Sequence, residues 1–257
     1  MTVALAFEDV GTGPPLLLLH GLYGSSSNWR RIAKALSDHH RVLSVDLRNH
    51  GGSPWTATMS YAEMAEDVAA LIDRLDLDRP SVLGHSMGGK VAMTLALTDA
   101  PRVGRLIVVD IAPVSYGDRF SSYTQAMRGV DAVHASGRDE IRRMLLQTIP
   151  DDRTVGFLMT NLVRQGEQYD WRINLMALSA AMHELGAFPD ALKTLRYEGP
   201  VTVIDGARSD YISADDRPLF LLLFPAARFV TIADAGHWLH ADQAEAFIAA
   251  VRDALDD

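Results

Sequence analysis

No cysteine occurs among the 257 residues. Disulfides, cysteine-ligated zinc and a cysteine nucleophile are therefore excluded, and the composition is compatible with a reducing compartment. Positive charge is scarce too: 24 Lys and Arg stand against 33 Asp and Glu, a formal net charge of -9. A chain with that balance repels polyanions, which argues against nucleic acid or an anionic membrane as partner. The most apolar stretch, Leu219 to Phe224, is closed by Pro218 and Pro225 and is far too short to span a bilayer. Met1 to Val10 has no basic region and carries Glu8 and Asp9. It does not read as a signal peptide, and a cytoplasmic protein is expected. No His-x-x-x-His pair or comparable carboxylate cluster falls on a helical stretch, so no metal is expected. Repeats, low-complexity tracts and linkers are missing as well. A hydrophobic content of 48% then suits one large domain with room for an insertion.

What is there centres on Ser81-Val82-Leu83-Gly84-His85-Ser86-Met87-Gly88-Gly89. An apolar run ends in Gly-x-Ser-x-Gly and a helical pattern follows over residues 90–97. This spacing puts Ser86 on a sharp strand-to-helix turn, the nucleophile elbow. Side chains at Gly84 or Gly88 would collide with the neighbouring strand or helix. The following helix aims its positive N-terminus at the serine, which suits an oxyanion.

Short runs at residues 16–19 and 42–45 read as strands buried on both faces of a parallel sheet, and residues 105–109, 201–205 and 228–232 read as further strands. Residues 3–10 form a first strand or hairpin. Helical patterns separate the runs at 28–36, 61–75 (opened by a Ser60/Glu63 capping box), 214–223 and 244–255. Strands alternating with helices imply an α/β fold, a mostly parallel sheet wound on both sides. From residue 114 to residue 199 strand signals vanish and helical stretches appear at about 123–136, 139–149, 155–164 and 173–182. The expected organisation is a core of residues 1–113 and 200–257 with a helical cap, 114–199, inserted over the site. Met127, Met144, Leu145, Phe157, Leu158, Met159 and Trp171 are candidates for an acyl pocket or for packing the cap onto the core.

With these motifs the chain resembles the α/β-hydrolase family, and within it the small esterases of the YbfF type and the abhydrolase-domain-11 proteins. Several roles follow from the resemblance. Ser86 is the nucleophile. His237, in Gly236-His237-Trp238-Leu239-His240 after the last strand, is the base. His20-Gly21-Leu22-Tyr23-Gly24 resembles the oxyanion loop, in which the amide of Leu22 pairs with that of Met87. Arg48-Asn49-His50-Gly51-Gly52-Ser53 resembles the family's Arg-Gly-His-Gly-x-Ser turn, with Asn49 in place of Gly. Asp46, Arg48 and His50 are read as loop braces. The implied activity is hydrolysis of small-molecule carboxylic esters or thioesters of small to medium acyl groups through an acyl-enzyme, with no cofactor. Carbon–carbon bond hydrolysis, cofactor-free haloperoxidase chemistry and a non-catalytic binding role on the same scaffold are the alternatives.

The third member of the triad is the least determined. Asp110 and Asp210 both satisfy the order Ser…Asp…His. The usual acid position is taken by Ser209, and Asp210 is one step further, where an extended backbone reverses the side chain. Asp110 ends the strand after the nucleophile's helix, in a stretch resembling the one that carries the acid in YbfF-type esterases. Asp110 is the expected acid.

Overall fold

A computed structural model describes residues 1–256. Seven strands form one sheet in the order β1-β3-β2-β4-β5-β8-β9: β1 (Phe7–Val10), β2 (Pro15–Leu19), β3 (Arg41–Val45), β4 (Ser81–His85), β5 (Arg105–Val109), β8 (Val201–Gly206) and β9 (Ala227–Ile232). Only β1 runs antiparallel to its neighbour. The inner strands β2, β3, β4, β5 and β8 are buried at nearly every position because both faces are covered, whereas the edge strands β1 and β9 are partly exposed. Alternate residues serve opposite layers. Leu17, Leu19, Val82, Leu106, Val108 and Val203 face one apolar layer, with α2 (Tyr61–Arg74), α3 (Met87–Thr98) and α8 (Arg217–Leu223). Leu16, Leu18, Leu83, Ile107, Val109 and Ile204 face the other, beneath α1 (Arg30–Leu36), the short α9 (Leu239–Asp242) and α10 (Ala244–Asp256).

Between β5 and β8 the chain leaves the sheet for α4 (Ser121–Gly129), α5 (Arg138–Leu146), α6 (Asp152–Leu158) and α7 (Leu175–Gly186). The expectation that strands vanish here is corrected. Leu162–Gln165 (β6) and Gln168–Trp171 (β7) pair as an antiparallel hairpin. The helical reading of 155–164 ends instead at Leu158, followed by one 3-10 turn. Gly166 takes a φ of 65° in the connection, the left-handed conformation that a two-residue hairpin turn demands. With three of the four β6 residues off the core side or exposed, no apolar alternation marks the strand. No described helix is long and apolar enough to cross a membrane.

Candidate active site

Parallel strands β2, β4, β5 and β8 all end on the same edge of the sheet, and the turns that follow them meet there. At the end of β4, Ser86 takes φ 54° and ψ -119°, a strained conformation for a residue with a Cβ. The turn is held by its backbone. Ser86 N–H donates to Val109 O at 3.0 Å, and Ser86 O accepts from Gly89 and Lys90 N–H at 2.9 and 3.1 Å. A Cβ on Gly84 would lie 2.1 Å from Gly88 O, and one on Gly88 2.5 Å from Leu19 O. The helix and the neighbouring strand approach so closely that glycine is required at both positions.

Asp110 ends β5 with φ 50° and a fully buried side chain. Three donors surround its carboxylate: Gly206 N–H at 3.2 Å on Oδ1, and Ser209 Oγ at 2.5 Å and His237 Nδ1 at 2.7 Å on Oδ2. A buried carboxylate needs such donors to replace lost water. Asp210 points elsewhere. It is exposed and pairs with Arg119 at 3.1 Å. Of the two acids compatible with the sequence order, the one in contact with His237 is Asp110.

His237 is held on every side. Tyr211 stacks on its ring at 3.7 Å between centroids and 13° between planes, and its carbonyl lies 2.8 Å from His85 Nε2. Since a carbonyl only accepts, His85 carries its proton on Nε2. Burial, reinforced by the neighbouring His237 and His240, keeps His85 well below the ordinary histidine range. Sequence pattern does not mark Tyr211 or His85 as functional. His85 occupies the variable position of the elbow motif, and Tyr211 becomes a neighbour of His237 only through the β8 turn.

On the other side of Ser86, Met87 is the first residue of α3, so its amide is one of the donors a helix leaves free. In the turn after β2, Gly24 N–H donates to Gly21 O and Tyr23 N–H to His50 Nε2. Leu22 N–H, between them, has no acceptor among the described residues. Asp46 holds this region by accepting from Ser26 and Gly52 N–H at 2.6 and 2.7 Å. Arg48 is buried against Asp67 at 2.6 Å and Glu63 at 2.9 Å. Asn49 has φ 66°, a conformation Asn tolerates better than most residues, which explains how it replaces glycine. Its Oδ1 also accepts from Asn174 Nδ2 at 3.0 Å, a bond to the inserted segment.

Ser86 and His237 open into one cavity. Its far wall comes from the insertion: Phe120, Tyr123, Thr154, Phe157 and Leu158. Phe157 faces Trp238 at 5.4 Å, and Arg153 lies 4.9 Å over Trp238 while pairing with Asp242. Of the apolar residues of the insertion considered for this pocket, Phe157 and Leu158 line it. Met127, Leu145, Met159 and Trp171 are buried in the packing. Among the described residues no group of three His, Asp or Glu side chains converges as metal ligands would.

Known proteins resemble this chain along most of its length. The alpha/beta hydrolase fold family matches residues 14–244. The zebrafish (Danio rerio) protein described as sn-1-specific diacylglycerol lipase ABHD11 is 43% identical over 253 residues, 95% of this chain and 79% of that one. Esterase YbfF of Escherichia coli K12 is 34% identical over 244 residues, covering 95% and 93% of the two chains. A solved marine microorganism esterase superposes with a TM-score of 0.95 at 36% identity, over 98% of this chain and 99% of that one.

Proposed function

This chain belongs to the α/β-hydrolase family and is an ester hydrolase of the carboxylesterase type, and on that premise we propose that Ser86, His237 and Asp110 form its catalytic triad, with the amides of Leu22 and Met87 as the oxyanion hole. The observation that carries the reading is the 2.7 Å contact between His237 Nδ1 and a fully buried Asp110 carboxylate, in a cavity that also contains the strained Ser86. With Nδ1 engaged by Asp110, Nε2 is the nitrogen left to take the serine proton. His237 takes the Ser86 proton as Ser86 Oγ attacks the ester carbonyl, and Asp110 stabilises the imidazolium that forms. The two amides receive the developing oxyanion, aided by the N-terminus of α3. The C–O bond of an ester's tetrahedral intermediate, or the C–S bond of a thioester's, breaks, His237 protonates the departing alcohol or thiol, and water attacks the acyl-enzyme through the same base.

Residues 114–199 act as a cap in this reading. Their contribution of Phe120, Tyr123, Phe157 and Leu158 to the cavity wall supports it. A neutral ester suits the largely apolar lining of this cavity, and an acylglycerol, the substrate class for which the zebrafish relative is named, is a candidate to include in a screen. Ser86→Ala is the test. It is expected to leave the fold intact, abolish labelling by a fluorophosphonate and lower kcat by about a millionfold, as in other serine hydrolases. A variant that retains appreciable esterase activity overturns the nucleophile assignment.

A further inference from the structure

A second cavity reaches Ser86; His237 is absent from its lining, although Tyr211, which stacks on His237, contributes to it. Leu22, Ser86 and Met87 line it, with Tyr61, Lys90 and Tyr116 deeper in. Lys90 lies one helical turn beyond Ser86 in α3, and only 1% of it is exposed. Its Nζ donates to Ala187 O at 2.7 Å and Gly186 O at 3.2 Å. The rings of Tyr116 and Tyr61 lie 4.9 and 5.6 Å from it. Gly186 and both tyrosines line the cavity, so the ammonium sits in its wall.

The other polar groups there are spoken for. Tyr61 OH donates to Leu185 O at 2.6 Å. Tyr116 OH donates to Tyr211 O and accepts from Ala112 N–H. Lys90 differs. It has three N–H donors but two carbonyl partners, and no carboxylate pairs with it among the described residues. Burial without a counter-charge pushes it down to about 7, because the charged form is desolvated. A methionine fills the same space without that cost.

We infer that this cavity is the acyl subsite for esters whose acyl chain ends in a carboxylate, and that Lys90 selects them. The inference rests on the triad reading above. His237 must protonate the leaving oxygen, so the leaving group lies in the first cavity, which His237 lines, and the acyl chain turns into the second, which it does not. There a carboxylate accepts the remaining N–H and supplies the missing counter-charge. Lys90 is four residues past Ser86, a rise of about 6 Å along the helix, which calls for a short dicarboxylic acyl group such as glutaryl.

The assay compares monoethyl glutarate with ethyl pentanoate, matched in chain length, and 3-carboxypropyl acetate with butyl acetate. The wild type is expected to favour the glutarate over the pentanoate by about tenfold or more in kcat/KM, the worth of one charge-assisted hydrogen bond, with no such preference in the alcohol-side pair. Lys90→Met is expected to collapse the acyl-side ratio, whatever it does to the neutral ester. A second readout needs neither turnover nor that variant. Free glutarate binding to Ser86→Ala, followed by calorimetry, is expected to tighten as pH falls from about 8 to about 6 and Lys90 takes its proton, while the carboxylates stay ionised. Tyr61 on α2 and Tyr116 face the ammonium and are held neutral above their ordinary range by burial. Beyond them Arg119 lies over Tyr116, and Glu184 and Asp216 act on the two phenols. Absence of a wild-type preference, a preference in the alcohol-side pair, an unchanged ratio in Lys90→Met, or glutarate binding that is absent or insensitive to pH each overturns the inference. Failure to hydrolyse any of the four esters strikes the triad reading instead, and glutarate binding still reports on the subsite.

Discussion

Acidification should unfold this protein through histidines that take no part in the proposed chemistry. His20, His50, His85 and His240 are all held below the ordinary histidine range by burial, reinforced at His50 by His20, at His85 by His237 and His240, and at His240 by His237. His50 is pushed down to about 3 and His240 to about 4. Their hydrogen bonds require the neutral ring. His20 Nε2 accepts from Leu47 N–H at 3.0 Å and His50 Nε2 from Tyr23 N–H at 3.3 Å, and a protonated ring cannot accept. In the unfolded chain each titrates near 6.5, so below that pH the unfolded state binds more protons than the native one. The stabilisation is complete above 6.5 and is lost as pH falls towards the native values. At pH 5 each histidine with a native value below 5 has forfeited about 2 kcal/mol, at roughly 1.36 kcal/mol per unit. His50 and His240 together account for about 4 kcal/mol on that basis, with His20 and His85 adding in the same direction. That is a large fraction of a typical domain stability of about 5–15 kcal/mol. Urea unfolding at several pH values between about 7.5 and 5 measures it. The midpoint should fall steeply with acid, and His50→Asn should make the fall shallower by close to one proton even if that variant is less stable at neutral pH. A midpoint that stays level across this range would refute the reasoning.

Asp67→Asn should cost about 3–5 kcal/mol in urea unfolding, because it leaves Arg48 buried beside half of its partners; restoration of part of that loss by Arg48→Met would identify the stranded charge as the cause. Phe157→Ala should change the ratio of kcat/KM between esters of long and short alcohols, since Phe157 lines the cavity that His237 opens into. Trp171→Phe should alter stability and leave that ratio alone, since Trp171 is 8% exposed and packs in the core.

How much the sequence discloses depends on whether a residue's role is fixed by its own backbone. Ser86 is legible because its turn imposes steric demands two residues away on either side, and only glycine meets them. The buried strands are legible because two covered faces leave an unbroken apolar run. Lys90 is not, since in sequence it is one more residue of a helix. Its lack of a counter-ion arises from the return of Gly186 and Ala187 to α3 across 96 and 97 positions. The hairpin of the insertion escapes for a related reason: its ladder satisfies the backbone without requiring an apolar face.

The acid shows why two readings of one sequence can be nearly equal until the sheet is assembled. Strands β5 and β8 are parallel neighbours with Val109 opposite Ile204, so Asp110 and the turn after β8 emerge side by side. Ser209, at the usual acid position, touches Asp110 Oδ2. The same point in space is thus reachable from either strand end, and the chain fills it from β5 while the β8 turn supplies a hydroxyl donor in place of a carboxylate. Asp210 is one step too far and faces Arg119 in solvent. If this is the geometry that orients His237, Asp110→Asn should lower kcat by about 10⁴, as loss of the triad acid does elsewhere, while Asp210→Asn should cost at most about tenfold, as for a polar group acting at one remove. The double variant Asp110→Asn with Ser209→Asp should recover part of the loss, because the carboxylate then approaches His237 from the neighbouring strand. Measuring one ester in all three variants decides the matter. A larger loss in Asp210→Asn than in Asp110→Asn would move the acid to the turn after β8.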